Sequence, residues 1–199
     1  MAILASEVLT HVNGLLFPNQ TGVASIDTKL RGILKEMSSR GLLETSATLT
    51  MSSSADFVAY PTGLIVAKSI QAEDYDPLLL LQWEVYISLM ADDDSTDIPE
   101  YFVPHAKRLY FYHPCSVAGA ALTWTIAYSY LHPDDVDSIL FGEEYRQAIY
   151  DGVTWLVARN KQRYAVAKEH EALYSNALYR LGAIAPSTSG CVAYYDLGG

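Results

Sequence analysis

The sequence predicts an α+β fold with helices at both ends and a β-rich block between them. Two observations carry this. Apolar residues recur at intervals of three and four near the start of the chain and again from Phe141 to Leu181. Between these segments the period changes to two.

The opening segment, Ala5 to Phe17, carries Val8, Leu9, Val12, Leu15 and Leu16 on one side and predicts a helix ending near Gly14–Pro18. Pro18 to Gly22 is a loop by composition. Ser25 is placed as an N-cap with Asp27 in the first turn. Ile26, Leu30, Ile33, Leu34 and Met37 then form the cleanest amphipathic stripe in the chain, ended by Gly41.

In Thr45–Met51, Ala47, Leu49 and Met51 alternate with Ser46, Thr48 and Thr50, which is strand-like. A turn at residues 52–56 follows. The Tyr60-Pro61 step leads into a second strand, Leu64–Ala67. Leu78 to Met90 fits two readings: Leu78–Leu81 as a buried strand, or Trp83, Tyr86, Ile87 and Met90 as a short helix. Tyr101–Val103 reads as an extended edge, and Arg108–His113 alternates until Pro114. The strongest strand is Ala120–Tyr130. Leu122, Trp124, Ile126, Tyr128 and Tyr130 line one face, and Thr123, Thr125, Ala127 and Ser129 line the other, so one face should be dry.

The closing helices break at Arg159-Asn160-Lys161. Tyr145, Ala148, Ile149, Gly152, Trp155 and Leu156 mark the first. Val166, Ala167, His170, Leu173, Tyr174, Ala177, Leu178 and Leu181 mark the second. Glu143 and Glu144 suit a helix N-terminus, and Gly182 with Pro186 marks the stop. Residues 186–199 have no period, yet Val192, Tyr194, Tyr195 and Leu197 make this tail too apolar for a purely solvated end.

A chain of 199 residues with 50% hydrophobic content can bury a good core. A net charge of −10 argues against sequence-specific nucleic-acid recognition, which needs a basic face, but suits a surface that DNA slides past. Two cysteines, Cys115 and Cys191, give neither a disulfide framework nor a paired metal motif. No leader peptide and no membrane-spanning run is read, so cytosolic folding is the default expectation and no membrane partner is expected.

Candidate chemistry is thin. His105, His113 and Cys115 lack the second close pair that zinc sites show, and plain strand and turn roles outweigh a metal. Asp92, Asp93, Asp94 and Asp97 lack the glycine and terminal glutamate of a calcium loop. Adjacent carboxylates at Glu143 and Glu144 diverge by about 100° on a helix, so they do not face one atom. Ser187, Thr188 and Ser189 have no rigid base. Arg159, Lys161 and Arg163 form a basic cluster read as solvated, with contact to phosphate or to an acidic patch on a partner as the alternative, and His170 reads as a satisfied core or interface histidine. No catalytic residue, cofactor or metal is expected.

The pieces SIDTKLRGILKEM, the step Tyr60-Pro61-Thr62-Gly63-Leu64-Ile65-Val66, IPEYFVPHAKRLYFYHP, ALTWTIAYSY and the closing hairpin EEYRQAIYDGVTWLVARN–KQRYAVAKEHEALYSNALYRL occur in a telling order. Over residues 3 to 183 this order resembles the head-to-tail adaptor proteins of short-tailed bacteriophages, a group that includes the tail tubular A proteins. The resemblance implies a helical bundle, residues 1–42 with 137–185. It also implies an inserted antiparallel β-sandwich or barrel-like block, 43–136; the extended tail, 186–199, lies beyond the resemblance and is read from its composition alone.

It further implies a structural virion protein of the neck and tail, assembled in the host cytoplasm. Copies would close into a twelve-fold ring joining the portal protein to the distal tail, nozzle or tail-tube protein, with double-stranded DNA passing through unread. On that reading Val192, Tyr194, Tyr195 and Leu197 contact the portal or a neighbour, and Val153 and Val157 lie at the subunit interface. Glu73, Asp74, Asp76, Asp92, Asp93 and Asp94 are candidates to line the lumen. The competing class is an enzymatic or small-molecule-binding α+β domain with a pocket between the β block and the hairpin.

Overall fold

The computed structural model describes residues 3–19, 22–51, 56–72, 75–92, 98–113 and 122–184. In chain order the elements are α1 (Ala5–Leu16), α2 (Asp27–Ser39), β1 (Glu44–Met51), β2 (Phe57–Ala59), β3 (Leu64–Ala72), β4 (Leu79–Leu80) and α3 (Trp83–Asp92). They continue with β5 (Tyr101–His105), β6 (Arg108–Tyr112), β7 (Leu122–Tyr130), a 3-10 turn (Glu143–Tyr145), α4 (Arg146–Asn160) and α5 (Tyr164–Ile184). The fold is mixed α+β, with five α-helices and two sheets among the described residues. The chain divides into two compact units. One holds α1, α2, α4 and α5, and the other holds Glu44–Tyr130.

In the helical unit, α1 and α2 bury the stripes that the sequence marks: Val8, Val12 and Leu16, then Leu30, Ile33, Leu34 and Met37. Ser25 Oγ accepts the Asp27 N–H at 3.2 Å, so it caps from just outside the helix. Gly41 adopts φ 78°, the left-handed conformation that a helix-ending residue needs and that glycine adopts without strain. Asn13 holds the loop after α1: its Oδ1 accepts the Val23 N–H at 2.8 Å.

Helix α4 is enclosed on several sides, packing against α1, α2 and α5. It buries Ala148, Ile149, Asp151, Gly152, Val153, Thr154, Val157 and Ala158. At Gly152 an added Cβ would lie 2.8 Å from Ile33 Cδ1, 3.1 Å from Ile33 Cγ2 and 3.1 Å from Tyr174 Cδ2. The glycine therefore lets α2 and α5 close on α4 together. The expected stripe of α5 is buried at Ala167, Tyr174 and Leu178. That helix runs two residues past Gly182, which costs little in a last turn with nothing within 4 Å of a would-be Cβ.

Buried among these helices, His132 is 2% exposed. Its Nε2 accepts the Leu140 N–H at 3.1 Å, so the ring proton sits on Nδ1, which donates to the Pro133 carbonyl at 2.9 Å. Its backbone N–H donates to Ser38 Oγ at 3.0 Å, and its ring stacks on Phe141. Burial lowers the His132 pKa, opposed by the Pro133 hydrogen bond and by Asp135.

In the other unit, β7 is the centre of a three-stranded antiparallel sheet, order β1-β7-β3. Trp124, Ile126 and Tyr128 face a core that also takes Leu49 and Met51 from β1, Ile70 from β3, Phe102 from β5, and Leu109 and Phe111 from β6. The opposite face of β7 is wet at Thr123 and Thr125, but Ser129 is fully buried and Ala127 half-buried, so the dry side is not confined to one face.

The second sheet, order β2-β6-β5-β4, corrects the expectation of a wholly antiparallel block: β4 pairs parallel with β5, Leu79 opposite Tyr101 and Leu80 opposite Phe102. The doubly readable run divides, Leu79 and Leu80 going to β4 and Trp83 onward to α3, with Leu81 and Gln82 between them in neither. Helix α3 lies on this sheet through Tyr86, Val103 and Tyr112, with Trp83 stacked on His105 at 3.9 Å. The β5–β6 hairpin turns on Ala106 and Lys107, at φ 48° and 60°, the two left-handed residues of a tight hairpin turn. Strand β2 was not read from the sequence, and β3 runs five residues further than Ala67.

Two outcomes are expected. Gly152→Val should lower the unfolding free energy by about 1–3 kcal/mol, the usual cost of overpacking. In a double-mutant cycle by urea denaturation, Ile33→Ala should recover part of that loss, because the two side chains compete for one space. The second outcome concerns His132. A folded pKa held below its unfolded value leaves its stabilisation intact above the unfolded pKa, about 6.5, and removes it as pH falls toward the folded one. Denaturation curves at pH 7.5, 6.5 and 5.5 should show this decline. His132→Gln should be less stable at pH 7.5 and should decline less.

Candidate functional site

The polar residues of the helical unit gather where α1 meets α4. Arg146, the first residue of α4, donates from Nη2 to Glu143 Oε2 at 2.8 Å and from Nη1 to Glu7 Oε2 at 2.8 Å and to the Tyr150 hydroxyl at 3.1 Å. Glu7 Oε2 also accepts the Leu4 N–H that opens α1, at 3.4 Å. One guanidinium thus ties the start of α1 to the start of α4. The hydrogen bond from Arg146 holds the Glu143 carboxyl below its ordinary range, and Glu143 in turn, with Tyr150 and Glu7, raises Arg146. His11 stacks on Tyr150 at 4.2 Å between ring centroids. Ser6, Glu7, Thr10, His11, Arg146 and Tyr150 line a shallow open groove of about 380 Å³.

Next to Tyr150 on α4, Asp151 is 3% exposed. Its Oδ2 accepts from Gln147 Nε2 at 3.0 Å, and its Oδ1 lies 2.8 Å from His170 Nδ1 on α5. A buried carboxyl group needs such partners to replace the hydrogen bonds to water that it loses. His11 feels the same pair. Burial lowers its pKa, Asp151 raises it and His170 lowers it.

Chemically the arrangement holds the helices together. Arg146 has its fork committed to two carboxylates and a phenol. Thr10 Oγ1 donates back to the Ser6 carbonyl at 2.8 Å, so it is not presented to a base. Among the described residues no group of three or more histidine, cysteine, aspartate or glutamate side chains could hold a metal ion, and no helix is long and apolar enough to cross a membrane.

The residues singled out from sequence are scattered. Val153 and Val157 are 0% and 4% exposed, buried within the helical unit itself, so a carboxylate at position 157 would act on folding before it could act on a contact between subunits. Asp76 and Asp92 are exposed, while Glu73, Asp74, Asp93 and Asp94 lie outside the described residues, as do Val192, Tyr194, Tyr195 and Leu197. In the basic cluster, Arg163 donates to the Leu16 carbonyl at the end of α1 and lies over the Phe17 ring at 5.0 Å, whereas Arg159 and Lys161 are exposed. His170 pairs with Asp151. Sequence reasoning missed Glu7, His11, Arg146, Tyr150 and Asp151. The available signal was Asp151, a charge set between Ile149 and Val153 inside an apolar run.

No curated protein matches the chain. The family model described as SU10 adaptor protein matches residues 4–191, a span that runs through both compact units. The chain therefore belongs to the SU10 adaptor protein family and is a bacteriophage adaptor, a structural component of the virion.

Proposed function

We propose that this adaptor is a head-to-tail connector of the tail tubular A kind, from a short-tailed phage. Copies close into a ring, twelve-fold, seated between the portal protein and the distal tail, nozzle or tail-tube protein, with packaged DNA passing through. The match to an adaptor family across both units carries this reading. On it, the helical unit is a bundle of two N-terminal helices and a C-terminal hairpin, residues 1–43 with 131–186. Residues 44–130 are an inserted β-sandwich or barrel-like block, and the residues after Pro186 are an attachment arm. The ring assembles in the host cytoplasm and stays in the neck of the virion. Its work is mechanical, and it needs no catalytic residue or cofactor.

The charge of the chain supports a conduit role. A net −10 repels phosphate, so a duplex meets no sticky wall. Within the sequence the excess is local: the unit from Glu44 to Tyr130 holds eleven acidic residues against three basic ones. Asp76 and Asp92, both exposed, together with Glu73, Asp74, Asp93 and Asp94, are the residues we assign to the lumen. Val192, Tyr194, Tyr195 and Leu197 supply contacts to the portal or a neighbouring copy. Each arm binds weakly because ordering it is costly, and the ring multiplies the arms into firm attachment.

Native mass spectrometry and electron microscopy of the purified protein, with and without portal, test the ring directly. A chain that stays monomeric in both would overturn it. Truncation after Pro186 should leave the melting temperature nearly unchanged and strongly reduce adaptor retention on DNA-filled heads; full retention would remove the arm from the attachment. Replacing Asp92, Asp93 and Asp94 together by lysine should slow DNA release, most at low salt, where the screening length exceeds about 8 Å. Release kinetics unchanged at every salt concentration would place these residues away from the duplex.

A further inference from the structure

Every open sheet has two edges, and an edge invites another strand unless something blocks it. Among the described residues the two sheets have four edges, and three of them are blocked. Strand β2 has three residues and β4 has two, too short to template a partner. Strand β3 is broken by register shifts between Leu64 and Val66 and between Ala67 and Ser69, and it carries Lys68. Bulges and lysines of this kind are the ordinary guards of an edge.

Strand β1 has none of these. It runs eight residues, Glu44–Met51, in unbroken one-to-one register with β7. It contains no proline, lysine or glycine, and its sequence is rich in threonine. Among the described residues no strand pairs with its other side. Leu49 and Met51 are buried in the core and Thr48 and Thr50 are exposed, so the strand is firmly seated; β2 lies close to it but does not hydrogen-bond to it.

We infer that the β1 edge is a strand-acceptor site, and that its occupant is residues 191–197 of a second copy of this chain. The reading rests on the ring proposed above. The segment Cys191-Val192-Ala193-Tyr194-Tyr195-Asp196-Leu197 has the composition of a strand. In extended form it places Ala193, Tyr195 and Leu197 on one face and Val192 and Tyr194 on the other. Added to β1, one of these faces prolongs the apolar side that Leu49 and Met51 begin. Helix α5 ends at Ile184. The six residues between Ile184 and Cys191 span roughly 23 Å when extended, which is the free reach of the arm once residues 191–197 are paired. Each copy then gives one arm and receives one. This is the heterologous, repeating contact that closes a ring, and backbone hydrogen bonds supply the affinity.

The test uses the full chain. A ¹⁵N-labelled copy carrying a photo-crosslinking amino acid at Thr48 is mixed with unlabelled wild-type copies, and the assembled ring is irradiated and digested. The expected product joins the labelled β1 peptide to an unlabelled peptide containing residues 191–197. Amides of residues 44–51 should also exchange at least tenfold more slowly in the ring than in dissociated subunits. Thr48→Lys with Thr50→Lys should cut the ring fraction at least tenfold, while Thr48→Val should not. Rings that form with no such crosslink overturn this inference and leave the ring reading standing. A product joining only labelled peptides, or one joining β1 to the portal, overturns it as well. A chain that forms no ring with or without portal overturns both.

Discussion

The helical unit depends on the close approach at Gly152. A glycine inside a helix costs about 1 kcal/mol relative to alanine. Here it sits where Ile33 and Tyr174 press on α4 from two other helices, and any side chain would hold them off. The packing that results surrounds α4 so closely that its polar residues cannot all reach water. Asp151 is enclosed with them and must be satisfied from within, by Gln147 on its own helix and His170 on α5. Removing one partner leaves a buried polar atom without its hydrogen bond, which typically costs about 1–3 kcal/mol. The polar seam is thus a consequence of tight packing, and it fixes the register between α4 and α5. At the head of α4, Arg146 does the same for α1 at a half-exposed site, where each contact stabilises less.

The β unit answers to a different constraint. A central strand needs neighbours on both sides, and β7 takes β1 and β3 in antiparallel register. Trp124 and Ile126, both fully buried, then meet Phe102, Leu109 and Phe111 from the other sheet. Large side chains from both sheets fill one core, and α3 covers the far side of the second sheet with aromatic contacts around Trp83, Tyr86 and Tyr110. The arrangement consumes most of the apolar residues of this segment. Leu79, at 61% exposed beside the two-residue β4, is an exception.

Much of this architecture was legible because it follows from period. One-sided stripes in α1, α2 and α5 and clean alternation in β1 were each set by a single buried face, and β7 alternates along most of its length although Ser129 is buried on its other side. The reading failed where an element has more than one. Val153 and Val157 fall off the main stripe of α4 and so looked available to a neighbour. They are buried because helices enclose α4 on several sides, and periodicity in one segment carries no information about how many partners that segment has. Trp155 and Leu156, on the expected stripe, are only half-buried for the same reason. The polar seam was invisible on other grounds. Glu7 and Arg146 lie 139 residues apart, and nothing local marks them as a pair. The parallel pairing of β4 also had no local signal, since two residues are too few to show a period.

Charge separates the two units further. The helical residues 1–43 and 131–186 hold eleven acidic residues against ten basic ones, while Glu44–Tyr130 holds eleven against three. Copies of so acidic a body repel when brought within a Debye length, about 8 Å at physiological salt. Assembly through salt bridges would need basic patches that Lys68, Lys107 and Arg108 do not supply, and Lys68 is already bonded to Glu44. Pairing along a strand edge escapes this difficulty. Its hydrogen bonds run between backbone groups that carry no net charge, and its side chains are threonines on one partner and tyrosine, valine and leucine on the other. In the proposed ring, an acidic exterior and a strand-edge contact would coexist in one unit, because the attraction and the repulsion would use different atoms. The same separation would let acidic residues face a duplex, if copies enclose one, without weakening the contacts between those copies.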